Sequence, residues 1–341
     1  MRTFLLSLFF LSSIAAGAQF STPLSFTRSI PLRGISGKFD HFAVDLAGHR
    51  LFAAATGNHS VEVIDLDTDK VAQSITGLGK PHGLAWVAPT GSLYVADGEL
   101  AELRVYKGTP LALARAIKLS DDTDDLVYDA ATRLIYVGHG GSDAGNPARI
   151  AVVDTTSLSL KADIPVATHP EALDMDSGSG RVFANIADSS EVAVIDRAGN
   201  SISSHWQLDK AGDNVPMAYD AGHRLLYLAC RRPAVLIALD GDSGRELSRV
   251  PIGRGADDLF YDAVLHRVYV ISGAGEVDSY GVDSRNALSP LPVLKTAAGA
   301  KTALFVPSQG LLYVGVPGAE SDAGGAAGHG AEIRVYSTQS K

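Results

Sequence analysis

Side chains that could do chemistry recur in this 341-residue chain at seven short sites spaced 42 to 47 residues apart. They read Asp40-His41, His82-Gly83, Asp124-Asp125, Glu171-Ala172, Val215-Pro216, Asp257-Asp258 and Lys301-Thr302. Six of the seven carry an ionisable group, and four offer a carboxylate at the equivalent first position: Asp40, Asp124, Glu171 and Asp257. If these groups converge, they must be hydrated, paired with His or Lys, or bound to a cation. Four oxygen ligands suit Ca2+ or another divalent ion. Such an ion would polarise an ester carbonyl while His41 or His82 moves the proton and Lys301 or Arg231 stabilises charge. Asp125 and Asp258 add carboxylates to the same ring. The plainer reading is turn chemistry, in which an Asp before a strand caps a solvated loop. Both readings are open at this point.

The spacing comes from a repeat. In each copy an anchor, usually Asp, is followed seven residues later by an aromatic: Asp45/Phe52, Val87/Tyr94, Asp129/Tyr136, Asp176/Phe183, Asp220/Tyr227, Asp262/Tyr269 and Val306/Tyr313. A period near 40–45 residues with several strand signals per copy marks a β-propeller. Each copy reads as a short inner strand (HFAVD in the first), a second strand (RLFAAA), a third (SVEVID) and a half-exposed outer strand of alternating pattern. The seventh copy ends after EIRVYS without an outer strand, while Phe26 to Leu32 reads as an outer strand without its copy. The expected fold is therefore an all-β, seven-bladed propeller of four-stranded blades, with the N-terminal strand completing blade seven. That closure removes free sheet edges. The run from Asp65 to Lys70 mimics a calcium loop but has Lys70 and Thr76 where an EF-hand needs Gly and Glu, so it reads as a hairpin turn.

Strand order puts the link into each inner strand and the link between strands two and three on one face, around the channel mouth. Two of those second links are long: His139 to Pro147 and Pro317 to Gly330, with His139 and His329 at their ends. Insertions confined to one face of a repeat protein mark a binding face; the alternative is loop decoration. Cys230, the only cysteine, ends an apolar strand and reads as a small buried hydrophobe. It excludes an intrachain disulfide and a CxxCH haem site.

Met1 to Ala18 has Arg2, an apolar stretch and an Ala-Gly-Ala end, the pattern of a cleaved signal peptide. The expectation is export to the periplasm or beyond, leaving residues 19–341 as one propeller domain. Removing residues 1–18 leaves 28 basic and 38 acidic side chains (29 − 1 against 38), about −10. That balance argues against nucleic-acid binding, as do two scattered tryptophans. No later stretch is apolar for the ~20 residues of a membrane span.

The LYVAD and VIDLDT pairings (Leu93 to Asp97, Val63 to Thr68) and their equivalents in every blade resemble the YncE-type, YVTN-repeat seven-bladed propellers, which sit near the lactonase-like propellers. The resemblance covers residues 26 to 338 and implies fold more than chemistry, since such propellers include binding proteins and enzymes. Calcium-binding propeller lactonases generally use Asn beside carboxylates; only Asn214 falls near this ring. No G-x-S-x-G, H-E-x-x-H or phosphate-binding loop occurs. The expected function is binding of a small ligand or partner protein at the channel face by a monomer, with Asp40, His82, Asp124, Asp125, Glu171, Asp257, Asp258, Lys301, Arg231, His139 and His329 as contacts. The alternative is a metal-dependent lactonase with the cation on Asp40, Asp124, Glu171 and Asp257.

Overall fold

The repeat is built from aspartate turns. In five blades the anchor carboxylate accepts backbone N–H bonds two or three residues on, as Asp220 Oδ1 does from Gly222 (2.9 Å) and His223 (3.2 Å). Asp45, Asp129, Asp176 and Asp262 do likewise. The two blades with a valine anchor follow it closely with Pro89 or Pro307, which presets φ instead. Four residues after every anchor the chain is left-handed: His49, Gly91, Arg133, Gly180, Arg224, His266 and Gly310 all have φ between 50° and 75°. In four blades a second Asp ends the third strand, and Asp65 caps the N–H groups of Asp67 and Thr68, so this run is the expected hairpin turn.

The computed structural model describes residues 23–141, 145–318 and 330–339. Within them the chain forms seven antiparallel sheets, six of them hydrogen-bonded in chain order from inner to outer strand. Blade one is typical: Phe42–Asp45, Arg50–Ala55, Ser60–Asp65 and Lys70–Ile75. In blade six the outer position is shared by Leu288–Pro290 and Leu294–Lys295. Blade seven consists of Ala303–Val306, Leu311–Val316 and Ala331–Ser337, and Ser25–Leu32 supplies its outer strand. The closing pair runs from Ser25 against Ser337 to Leu32 against Ala331. Second strands such as Arg50–Ala55 are buried on both faces because each sheet packs against two neighbours, while outer strands alternate. Seven apolar clusters result, one per blade interface; the closing one joins Ile30, Leu32 and Ile333 to Phe42 and Leu51.

The inner strands are not all short. In four blades they extend back through the pre-strand sites: Pro81–Val87, Pro170–Asp176, Gly212–Asp220 and Ala256–Asp262. Each extension contains a β-bulge, and the unpaired residues include His82, Glu171, Val215 and Asp257. Blades one and three make the same irregular pairing just outside their strands. Asp40 N–H donates to Ala54 O while Ala54 N–H donates to His41 O, so two residues oppose one; Asp124 and Asp125 oppose Gly138 in the same way. A bulge twists the strand and re-aims a side chain.

Candidate functional site: the charged cavity at the channel mouth

All seven first-position residues line one cavity of about 150 Å³: Asp40, His82, Asp124, Glu171, Val215, Asp257 and Lys301. In blades one to six the bulge explains the convergence, since it turns a side chain toward the axis instead of across the pleat. Lys38, His41 and Arg231 complete the wall. Gly83 permits the close approach of blades two and three, because a Cβ there would stand 2.5 Å from the Asp124 carbonyl oxygen.

The charges are cross-linked between blades. His82 Nδ1 lies 2.7 Å from Asp40 Oδ2 and 3.3 Å from Asp124 Oδ1. On the other side of Asp124, His169 Nε2 is 3.5 Å from Oδ2, and its Nδ1 is 2.8 Å from the Gly140 carbonyl. His41 bridges Asp40 (3.5 Å) and Asp258 (3.4 Å). Asp257 is gripped by Arg231 and by Lys301 Nζ at 2.5 Å. Burial opposes ionisation of Asp40, but the His82 hydrogen bond and the charges of His41, His82 and Lys301 hold its carboxyl far below the usual range. Burial disfavours the imidazolium forms as well, and the surrounding carboxylates outweigh it. His82 is raised mainly by Asp124 and Asp40, His41 well above its ordinary value by Asp258, and His169 to about 9 by Asp124.

Glu171 differs from its ring mates. Its carboxylate makes no hydrogen bond or ion pair among the described residues, and burial followed by the charge of Asp124 pushes it up to about 6.

The other expected contacts fall elsewhere. Asp125 and Asp258 do not line the cavity; each accepts the backbone N–H of the next blade, from Leu173 at 2.8 Å and Ala303 at 2.6 Å. Burial raises both carboxyls, Asp125 to about 6. His139 ends the second strand of blade three, buried between Ser120 N and Asp163 Oδ1 at 3.2 and 2.9 Å. Burial pulls its pKa down, so this imidazole is a structural cap like Asp97 at the equivalent position, which binds Gly79 and Lys80 N–H. His329 and residues 1–18 lie outside the described residues. Cys230 is fully buried and its thiol is pushed up to about 12 by burial, as a small hydrophobe's would be. Asn214 is buried against Asn185 and Glu191, away from the ring carboxylates.

His169 was not in the expected set, although the signal was available. Two residues before each ring position the chain carries Lys38, Lys80, Asp122, His169 and Asp213 in the first five blades. This second tier is also cross-linked, with Lys80 Nζ 3.1 Å from Asp122 Oδ1.

Among the described residues, Asp40, His82 and Asp124 can each direct one ligand atom within 4.8 Å of the others. Asp257 is committed to two cations, so the set that could hold a metal ion is centred on His82 rather than spread around the ring. No described helix is long and apolar enough to cross a membrane.

Comparison with known proteins supports the architecture. No family model matches the chain. It is similar to the seven-bladed beta-propeller protein Rv1057 of Mycobacterium tuberculosis, 27% identical over 164 residues, 45% of this chain and 38% of that protein. The match thus spans well under half of that relative's length. Among solved structures the chain superposes on hydrazine synthase from Kuenenia stuttgartiensis with a TM-score of 0.72 and 16% identity, covering 83% of this chain and 95% of that one. At that identity the likeness is one of fold. The chain is a seven-bladed β-propeller.

Proposed function

We propose that this is an exported, monomeric propeller of the YncE-like kind whose channel-mouth cavity binds a small, charged ligand. One observation carries the reading: seven equivalent positions, one per blade, converge on a single cavity lined almost wholly by ionisable side chains. Holding so many charged groups out of water opposes folding unless they are paired, and a fold that needed only stability would place apolar residues there. Export rests on the sequence of residues 1–18. Thermal unfolding of the mature protein against a panel of small anions, amines, amino acids and divalent cations tests the reading. The expected result is a raised midpoint with at least one class, lost in Asp124→Ala; a folded protein whose midpoint responds to none overturns it.

The Asp40–His82–Asp124 cluster favours a second reading, a cation-dependent lactone or ester hydrolase. The ion would act as a Lewis acid on the carbonyl. Because the two carboxylates already share the imidazolium of His82, a metal must displace that proton and would bind more tightly as pH rises. Chelation followed by addition of Ca2+, Mg2+, Mn2+ or Zn2+ at pH 6 and 8 tests this. No cation-dependent shift at either pH removes the metal and the hydrolase together.

A further inference from the structure

Most of the charged side chains that line the cavity are paired with one another. Asp40 and Asp124 are paired with His82, Asp124 again with His169, and Asp257 with Lys301 and Arg231. Two lining side chains remain without a hydrogen bond or ion pair among the described residues: the Glu171 carboxylate and the Lys38 ammonium. They belong to blades four and one, three steps apart in a ring of seven, and so approach the cavity from nearly opposite sides. Between them the wall has one apolar member, Val215, fixed by the Asn185 amide donating to its carbonyl at 3.0 Å.

We propose that the cavity binds a compact zwitterion, with its ammonium on Glu171, its carboxylate on Lys38 and its methylene carbons against Val215. The proposal rests on the cavity being a binding site and adds the chemical class. An ammonium at Glu171 is also attracted by Asp124 and Asp257, with His169 and Arg231 as the opposing cations nearby. The ligand supplies a counter-charge at both ends, so the Glu171 carboxylate is not desolvated alone, while Lys38 reaches the cavity from the exposed rim. A cavity of about 150 Å³ is on the scale of a short amino acid.

Glycine, β-alanine and γ-aminobutyrate place the two charges at increasing separation; acetate and methylammonium each carry one. Each probe, and Ca2+, would be titrated into the mature protein by calorimetry, with the side-chain NMR signals of His41, His82 and His169 reporting on the cavity. At least one amino acid should bind ten-fold or more tightly than acetate and methylammonium. Glu171→Gln and Lys38→Met should each remove a factor of ten or more while unfolding cooperatively like wild type. Equal binding by wild type and Glu171→Gln overturns the proposal. So does a cavity that answers to acetate, methylammonium or Ca2+ but to no amino acid, which leaves the binding reading standing. Histidine signals that answer to no probe overturn both.

Discussion

Asp40 and His82 belong to different blades, and the 2.7 Å contact between Oδ2 and Nδ1 joins the mouths of blades one and two. The same ring nitrogen is 3.3 Å from Asp124 on blade three, so one imidazolium spans three blades. His82→Ala leaves two buried carboxylates facing each other without the cation between them, each keeping only a longer contact of 3.5 Å, to His41 or His169. Removing one partner from a buried ion pair costs about 3 kcal/mol or more. Urea unfolding at pH 7 should show that loss, and Asp40→Asn combined with His82→Ala should recover part of it; a single variant as stable as wild type would mean the cluster is hydrated and loosely held.

The imidazolium of His169 predicts a loss of stability in mild alkali. Its pKa stands raised from 6.5 to about 9 in the folded chain, against burial, by the hydrogen bond and charge of Asp124, the Gly140 carbonyl and Asp122. A raised pKa contributes stability that is complete below 6.5 and lost as pH climbs through about 9. The contribution is on the order of 3 kcal/mol for a shift of this size. His82 and His41 are raised too and act in the same sense. Melting curves from pH 6 to 10 should fall in wild type and fall less in His169→Gln; parallel curves would refute the assignment.

Glu171 predicts the opposite sign for a substitution. Its folded pKa of about 6 exceeds its ordinary 4.5, so ionisation destabilises the fold as pH rises through that interval. Glu171→Gln should therefore stabilise the free protein by about 1–2 kcal/mol at pH 8 and leave it unchanged at pH 4. A group kept at the expense of stability is the kind retained for a ligand. Denaturant midpoints at the two pH values decide it, and a destabilised variant at pH 8 would show that Glu171 is held in place by contacts of its own.

The turn chemistry makes a prediction remote from the cavity. Arg133 is exposed, with φ 60° in a turn where blades two, four and seven use glycine. Arg133→Gly should raise stability by about 0.5–1 kcal/mol, the strain relieved less the entropy gained by the unfolded chain. Arg133→Val should lower it by more than that gain, since a β-branched residue suits this region least. Thermal melts of the pair measure both signs at one site.

Blade number, strand order and closure were legible because their causes are local. An anchor such as Asp220 caps N–H groups two and three residues ahead, so its turn is written within a few positions. The aromatic seven residues on then packs between sheets. Closure was legible from a strand without a repeat and a repeat without a strand, which Ser25–Leu32 and Ala331–Ser337 resolve by pairing. Equivalence of the ring positions was also legible, since counting from the anchor finds all seven.

The sequence by itself thus determined the propeller and the roll of residues at its mouth, because turn capping and alternation act over a few residues. Only the tertiary structure decided their roles. Asp124 and Asp125 are neighbours of the same type, yet one faces the cavity and the other binds the Leu173 backbone. A bulge separates them, and its unpaired residue is defined by the partner strand. The pairing of His82 with carboxylates 42 residues away on either side, and the isolation of Glu171, depend on how seven blades close around one axis. Long-range closure sets those distances, and no short stretch of chain encodes them.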